Sequence, residues 1–413
     1  MSGTPSAPAI EARAAMSDRA AARERIDRGL AEAVATREVP GVVAMAADDH
    51  GVIYDGAFGQ RDLSAGLAMT IDTIFRIASM TKAITSVAAM QLVEAGRLSL
   101  DEPVPTIDPT IAEPQVLQGF SPAGEPILRP ATRPITLRHL LTHTAGFTYE
   151  YWNPDMHRYA EMAGIPMISS GRLAALHRPL CFDPGERWEY GINIDWVGRI
   201  VEAVSGTDLD TYLRDHIHAP RGMADTAFVT SLEQRARQAS IHQRRPDGML
   251  EPQPSPAPTT PEFYNGGGGL VSTARDYLTF VQMLLHGGSL NGQRILRPET
   301  VDAMNRNQIG ELQAGVLKTE MPERSNDVDL FPEMSVRWGL AYLINMAPGP
   351  NGRSAGSLSW AGLFNSYYWL DPVRPVAGVT LMQVLPFADR QALAVYGRFE
   401  RGVYALLDST PRR

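Results

Sequence analysis

Ser79 and Lys82 are the two residues of this sequence whose types and spacing most directly suggest chemistry. Lys82 is one of only two lysines in the 413-residue chain. The composition of residues 79–95 predicts a helix, and residues three apart share one helix face, so the Lys82 amine would lie beside the Ser79 hydroxyl. A serine becomes a nucleophile when a base takes its proton, and a lysine with a lowered pKa can be that base. The spacing therefore predicts an activated serine.

Tyr190 is a candidate for a second proton carrier. It ends the turn-rich run 183–190 and precedes a predicted helix that begins at Asn193, whose side chain could cap that helix. A phenol beside an ammonium is shifted towards phenolate, so Lys82 and Tyr190 could share the proton taken from Ser79. The alternative is a tyrosine that only packs its ring in the core.

The string Trp360-Ala361-Gly362-Leu363 lies near the end of a predicted strand, and its small residues would let the backbone approach a ligand closely. Acyl transfer needs two N–H donors aimed at the oxygen of the tetrahedral intermediate. The N–H of Ser79 at a helix start would be one donor, and the N–H of Leu363 the other. Trp360 as a plain core anchor is the alternative.

In this order the three strings resemble the S-x-x-K, tyrosine-based and K-T-G-like motifs of the serine β-lactamase and penicillin-binding-protein superfamily. Residues 75–82 (FRIASMTK), 135–146 (ITLRHLLTHTAG) and 184–190 (PGERWEY) are similar to one branch of it. That class C-like branch contains class C β-lactamases, D-Ala-D-Ala carboxypeptidases, family VIII carboxylesterases and fungal statin-type acyltransferases. The resemblance covers about residues 25–405.

The resemblance implies a serine enzyme that needs no cofactor and no metal. Ser79 would be the nucleophile, Lys82 and Tyr190 the base pair, and the amides of Ser79 and Leu363 the oxyanion hole. β-Lactamases and peptidases place a lysine where this chain has Trp360. An indole there replaces an anion site by an apolar wall, which suits an uncharged ester better than a penicillin. Family VIII esterases resemble this W-x-G form.

The substrate-binding residues are predicted from the same motifs and from an aromatic segment at 149–168. Asn193 falls one residue later than the asparagine of the Tyr-x-Asn motif of β-lactamases. The aromatic segment could form an acyl or alcohol pocket, or could simply cover the core. The residues expected to line the substrate site are Trp360, Gly362, Asn193, Tyr149 and Trp152.

Three other strings carry competing interpretations. Gly352-Arg353-Ser354-Ala355-Gly356 matches the nucleophile motif of α/β-hydrolases, but it follows a turn, leads into a strand and has no histidine after it. Lys318 belongs to a K-T-E run far from the third motif, and we expect it on the solvated surface. Residues 266–269 are four glycines without the Gly-Lys-Ser/Thr ending of a phosphate loop, so either close backbone packing or a mobile edge of the site is expected there.

The elements that would position these residues predict an α+β fold with an antiparallel sheet flanked by helices and an all-helical subdomain. We expect a disordered tail at 1–18, an α/β subdomain of 19–78 and 270–413, and a mainly helical subdomain of 79–269, with the active site between the last two. Strands are predicted at 41–47, 52–58, 338–346, 357–360, 366–370 and 377–384, so that both ends of the chain build one sheet.

Composition restricts the partners. The net charge of −8 and the pI of about 5.6 argue against nucleic acid or an anionic membrane and favour a small-molecule ester. Cys181 is the single cysteine, which excludes an intramolecular disulfide. No run of eighteen apolar residues occurs, and a cytoplasmic location is expected. The oligomeric state is left open.

The function predicted first is a carboxylesterase that cleaves small uncharged esters through an acyl-enzyme on Ser79. An acyltransferase would use the same site with an alcohol in place of water. A β-lactamase or D-Ala-D-Ala carboxypeptidase would share the nucleophile and base. A binding or sensor protein without turnover is the alternative outside enzymes.

Overall fold

The molecule is built around an antiparallel sheet, as expected. The structure, a computed structural model, describes residues 7–254 and 260–409. Within them, the main sheet has eight strands in the order β12-β13-β14-β15-β16-β1-β2-β3. The strands in chain order are β1 (Gly41–Asp48), β2 (Gly51–Asp62), β3 (Leu67–Ala68), β4 (Phe75–Arg76), β5 (Gln115–Phe120), β6 (Pro126–Pro130), β7 (His242–Arg244), β8 (Leu250–Pro252), β9 (Val271–Ser272), β10 (Ser289–Leu290), β11 (Gln293–Arg294), β12 (Val336–Trp338), β13 (Leu343–Asn345), β14 (Leu358–Gly362), β15 (Ser366–Asp371), β16 (Val376–Leu381) and β17 (Val384–Leu385).

The two ends of the chain meet at the centre of this sheet. β1 pairs with β16 in antiparallel register, with Val43 opposite Leu381, and also pairs with β2. The helices that pack around the sheet come from across the sequence. They are α1 (Ala7–Ala35), α2 (Thr81–Glu94), α3 (Pro109–Ala112), α4 (Leu137–Leu141), α5 (Pro154–Ala163), α6 (Asn193–Ser205), α7 (Leu209–Leu213), α8 (Ala219–Arg221), α9 (Leu232–Ala236), α10 (Ala274–Leu285), α11 (Pro298–Asn305) and α12 (Arg390–Asp408).

Helices cover both faces of the sheet. Successive side chains of a strand point to opposite faces, and in β15 the ring of Tyr368 contacts Tyr277 of α10 while Trp369 contacts Phe399 of α12. α1 packs against α12 on the latter face. All residues of β15 and β16 are buried, which agrees with the mostly apolar sequences of these two strands.

The region between the first strands and α10 is less helical than its sequence suggested. β5 and β6 form a hairpin at the proline-rich stretch after Pro114, and β7 and β8 form another at residues 242–252. The arginine-rich run 235–245 therefore begins in α9 and ends in β7. α2 and α6 pack against each other and carry the side chains considered below.

The N-terminal helix begins earlier than expected. α1 runs from Ala7, so it includes residues 7–18 that the sequence analysis assigned to a disordered tail, and residues 1–6 lie outside the described part. Residues 7–15 include five alanines, the strongest helix-forming residue. Among the described helices, none is long and apolar enough to cross a membrane.

Candidate active site

Ser79 and Lys82 lie together at the start of a buried helix. Ser79 belongs to a single 3-10 turn, Ala78–Met80, that leads directly into α2. The Lys82 Nζ atom is 3.2 Å from the Ser79 Oγ atom. Ala78, just before the nucleophile candidate, has a φ of 44°, a conformation that residues with a Cβ rarely adopt. This turn holds the Ser79 hydroxyl at the tip of the helix.

Lys82 is almost completely buried, with 2% of its surface exposed. Its Nζ atom donates hydrogen bonds to the Gly267 carbonyl at 2.6 Å and to the Tyr149 Oη at 3.1 Å. The ring of Tyr190 lies 4.7 Å from the same nitrogen. Burial lowers the pKa of Lys82 to about 7, although the negative charge of Asp195 acts in the opposite direction. A neutral amine is therefore accessible near neutral pH.

Tyr190 completes a hydrogen-bonded chain with Ser79. Its hydroxyl accepts a hydrogen bond from the Trp360 indole Nε1 at 2.9 Å and is also hydrogen-bonded to Ser79. Burial raises the pKa of Tyr190, and these two hydrogen bonds only partly offset that effect. The resting phenol is therefore protonated, whereas Lys82 beside it can be neutral.

Trp360 differs from its expected part in the site. We predicted an apolar wall for the substrate, but the side chain is 4% exposed and is a hydrogen-bond donor to Tyr190. The centroid of its indole ring lies 4.9 Å from the centroid of the Tyr190 ring, and the two ring planes are tilted relative to each other. An indole N–H donates without carrying charge, so it stabilises a phenolate less than an ammonium does.

The end of β14 lies against the turn that carries Ser79. A Cβ atom on Gly362 would be 2.3 Å from the Ile77 carbonyl oxygen, so glycine allows this contact between two backbones. The sequence predicted that small residues here let the backbone approach a ligand, and at Gly362 they let it approach the backbone of the turn that carries Ser79. Within residues 7–254 and 260–409, neither the Ser79 N–H nor the Leu363 N–H has a backbone acceptor. Both amides are thus free to donate to an acceptor that is not part of the backbone.

Asn193 points into the core and does not cap its helix. Ile192 takes the cap position of α6, and the Asn193 side chain makes no capping hydrogen bond. The Asn193 Nδ2 atom donates instead to the Phe147 carbonyl at 3.0 Å and lies 3.0 Å from the Nδ1 of His143. Asn193 stands one residue later in the sequence than the asparagine of the Tyr-x-Asn motif, and its side chain has no exposed surface.

The two aromatic residues predicted for the substrate pocket lie at the site in different ways. Tyr149 is buried and its hydroxyl accepts from Lys82, so it contacts the base itself. Trp152 is half-buried, its ring is 5.7 Å from that of Tyr190, and its indole donates to Ser325 at 3.1 Å. Trp152 is the one of the pair with surface left for a ligand.

Two residues near the base, Asp195 and His143, are not among the site residues predicted from the sequence. Asp195 of α6 is fully buried, and its Oδ1 accepts from the Gly267 N–H at 2.9 Å. His143 is buried with a φ of 57°, and its ring packs 4.6 Å from Tyr190. An aspartate within the apolar run Ile194-Asp195-Trp196-Val197 was a visible signal, because isolated charges are rarely buried without a partner.

Two of the three competing strings lie away from the site, and the third packs beside the base. Ser354 lies in a turn before β14, and its N–H donates to Asp371 at 2.8 Å. Lys318 is exposed and paired with Asp327 at 2.7 Å. The four glycines at 266–269 pack their backbone on α2, where Gly266 accepts from Thr85 at 2.8 Å and Gly267 accepts from Lys82. Close backbone packing was one of the two expectations for this loop.

Comparison with known proteins places these features in one family. The family model described as Beta-lactamase matches residues 26–400. The chain is 32% identical to a monacolin J acid methylbutanoyltransferase of Aspergillus terreus, over 91% of this chain and 94% of that protein. It is 31% identical to a lovastatin esterase of Penicillium rubens, over 89% of this chain and 95% of that protein.

Solved structures agree with the fold. A LovD6 mutant of the simvastatin synthase LovD of Aspergillus terreus superposes with a TM-score of 0.80 at 31% identity, covering 93% of this chain and 94% of that chain. EstCE1, a hydrolase with promiscuous acyltransferase activity, shares the fold with a TM-score of 0.72 at 22% identity, covering 94% and 99% of the two chains.

Proposed function

The chain belongs to the beta-lactamase family, and on that basis we propose that it forms an acyl-enzyme on Ser79 and transfers the acyl group to an alcohol. The observation that carries this proposal is the chain Lys82–Ser79–Tyr190, together with Ser79 and Leu363 amides that have no backbone acceptor among the described residues. Hydrolysis of the same ester is the second candidate, because water can replace the alcohol on the same intermediate.

The acylation step follows from the protonation states of the site. The neutral Lys82 amine takes the proton of Ser79 as its Oγ attacks the ester carbonyl, and the amides of Ser79 and Leu363 bind the oxyanion. When the tetrahedral intermediate collapses, Tyr190 gives its proton to the leaving alkoxide. The Lys82 ammonium, which lies against the Tyr190 ring, then returns a proton to the phenolate.

Deacylation reverses these roles. The incoming alcohol loses its proton through Tyr190 to Lys82 as its oxygen attacks the acyl-enzyme, and Ser79 leaves with a proton returned from Lys82. The surroundings support an alcohol over water, because Tyr190 and Lys82 are each only 2% exposed among aromatic rings. Exclusion of water reduces hydrolysis of a reactive intermediate.

The relatives change the ranking of the two activities. From the sequence alone, hydrolysis is the activity expected first and acyl transfer is the alternative. The methylbutanoyltransferase matches nearly the whole chain at 32% identity and supports acyl transfer, while the lovastatin esterase at 31% supports hydrolysis. A neutral Trp360 in place of a lysine argues against substrates recognised by their carboxylate at this position, such as penicillins.

The test is to measure where the acyl group goes. The enzyme is incubated with p-nitrophenyl butyrate and increasing butanol, or monacolin J acid, the acceptor named for the Aspergillus relative. Nitrophenol release and the ester and acid products are quantified by absorbance and mass spectrometry. We expect butanoyl ester to form in proportion to the acceptor, and the acyl group to be found on the Ser79 peptide.

The controls separate the alternatives. Ser79→Ala should abolish both products, whereas Ser354→Ala should retain them. Butyric acid as the single product at every acceptor concentration would establish an esterase. Nitrocefin opening much faster than ester cleavage would establish a β-lactamase. Ligand binding without any Ser79-dependent product would establish a binding protein.

A further inference from the structure

Asp195 is a buried carboxylate that the proposed reaction does not use. It lies in the first turn of α6, five residues after Tyr190, with no exposed surface. Its Oδ1 accepts one hydrogen bond, from Gly267, and its Oδ2 has no hydrogen-bond partner among the described residues. Burying a carboxylate with so few hydrogen bonds is costly unless a positive charge lies nearby.

Gly267 connects this carboxylate to Lys82. Its N–H donates to Asp195 Oδ1 at 2.9 Å, and its carbonyl accepts from Lys82 Nζ at 2.6 Å. A Cβ atom on Gly267 would be 2.4 Å from Asp195 Oδ2, so only glycine lets the carboxylate lie this close to the loop. Gly267 thus binds the Asp195 carboxylate through its N–H and the Lys82 amine through its carbonyl.

We propose that Asp195 is the buried counter-charge of Lys82 and, acting through Gly267, sets the pH at which the Lys82 amine becomes free to activate Ser79. Asp195 is a positioning residue, because it touches neither Ser79 nor the place of the substrate carbonyl in the proposed reaction. The part of the inference that concerns Ser79 rests on the proposed function, while the coupling of Asp195 to Lys82 does not.

The other groups that face this pair do not replace the carboxylate. Tyr149 and Tyr190 contact Lys82, and burial raises the pKa of both, so they are neutral. The pKa of His143 lies well below its usual value because of burial and the charge of Lys82. Arg178 faces Asp195 but is paired with Glu150 at 2.6 Å. Asp195 is therefore the anion that acts on Lys82.

The direction of the effect follows from the two opposing causes. Burial lowers the pKa of Lys82 and Asp195 raises it, so removal of the negative charge lowers this pKa further. Reciprocally, burial raises the pKa of Asp195 and Lys82 lowers it. Asp195→Asn keeps an oxygen acceptor for the Gly267 N–H and removes only the charge.

The chain is unusually suited to a direct measurement, because it has just two lysines. Protein labelled with ¹³C-lysine gives side-chain NMR signals from Lys82 and from the exposed Lys318, which is an internal reference. In Asp195→Asn we expect the Lys82 titration midpoint to fall by about one pH unit, the size of a typical close charge effect, while Lys318 is unchanged. An unshifted Lys82 midpoint would overturn the inference.

Asp276→Asn is the matched control. Asp276 is also a buried aspartate in the first turn of a helix, and it accepts from the Asp225 N–H at 2.8 Å, but it does not act on Lys82. We expect this variant to keep the wild-type Lys82 midpoint. A shift as large as that of Asp195→Asn would mean that any lost core carboxylate disturbs the site, and would overturn the assignment.

Two further measurements test the inference even if Asp195→Asn does not fold. Gly267→Ala should displace the carboxylate through the 2.4 Å contact and lower the Lys82 midpoint in the same direction. In the wild type, the Lys82 signal should show a second, smaller inflection at lower pH where Asp195 takes a proton. A single-step wild-type titration would contradict the coupling.

The pH profile of ester turnover links the pair to Ser79. In Asp195→Asn the acidic limb of kcat/KM for p-nitrophenyl butyrate should move down by the same interval as the NMR midpoint. If the NMR midpoint shifts but wild-type turnover does not depend on Ser79, the proposed function fails and the coupling remains. If turnover depends on Ser79 and neither midpoint shifts, this inference alone fails.

Discussion

At the scale of single residues, the neighbours of Lys82 and Tyr190 determine which of these two groups titrates near neutral pH. Lys82 is buried among aromatic rings, and Tyr190 receives its hydrogen bond from the neutral indole of Trp360. No positive charge is thus supplied to Tyr190 by the third motif. The phenol remains protonated and Lys82 becomes the group that titrates near neutrality. This division of roles makes the following two predictions possible.

The activity of the wild type should rise with pH through about 7. The pKa of Lys82 is lowered to about 7, its protonated form cannot accept the Ser79 proton, and so activity is lost as pH falls below that value. The measurement is kcat/KM for p-nitrophenyl butyrate between pH 5 and 9. A profile that is flat across this range would show that Lys82 is not the titrating base.

Replacing the indole of Trp360 should separate its two possible uses. Trp360→Phe keeps an aromatic wall but removes the donor to Tyr190, and we expect kcat to fall by about 10–100-fold, a loss of ~1.4–2.8 kcal/mol typical of one hydrogen bond to a catalytic group. KM should change little. An unchanged kcat with a raised KM would mean that Trp360 serves as a substrate wall only.

At the scale of elements, β14 packs against the turn Ala78–Met80, which carries one of the two amides proposed for the oxyanion hole. Gly362 allows two backbones to approach within a distance that no other residue permits. Strand and turn come from sequence positions almost three hundred residues apart. Their packing brings the end of β14, which precedes Leu363, against the turn that carries Ser79.

Adding one methyl group at this contact should damage catalysis. In Gly362→Ala the new Cβ would be 2.3 Å from the Ile77 carbonyl, so the strand must move away from the turn, and we expect kcat to fall by roughly 100-fold, as for a misplaced catalytic group. Gly29→Ala, in α1 with nothing within 4 Å, is the control and should keep full activity. Equal activity of both variants would contradict this role of β14.

At the scale of the whole molecule, the last helix, α12, packs on one face of the sheet. The turn before β14 is tied to α12 by a buried ion pair in which Arg353 Nε is 2.5 Å from Glu400 Oε1. Both side chains are at most 5% exposed. Because α12 also packs on α1, this pair connects the turn before β14 to the helices at both ends of the chain.

Breaking that pair should lower stability more than activity. Glu400→Gln leaves Arg353 buried without its counter-charge, and we expect the free energy of unfolding to fall by about 3–5 kcal/mol. Urea or thermal denaturation measures this loss. Asp327→Asn, which breaks the exposed pair with Lys318, should leave Tm nearly unchanged. Similar losses of stability in both variants would show that the buried ion pair contributes no more than the exposed pair.

The sequence by itself determined the local and periodic features. The spacing of Ser79 and Lys82 predicted their contact because helix geometry fixes where residues three apart lie. Apolar runs predicted β14, β15 and β16, and the motifs predicted the family. In the described residues, the antiparallel sheet built from both chain ends agrees with that prediction.

The tertiary structure alone decided which partners these residues meet. Lys82 binds a carbonyl 185 residues away, Trp360 binds a tyrosine 170 residues away, and Asn193 turns into the core. No local pattern encodes such contacts, because they depend on how distant segments pack. The same holds for the pKa of Lys82, which burial and Asp195 set together. The spacing of the motifs therefore predicted the residues expected to react, whereas the pKa of Lys82 depends on the tertiary fold.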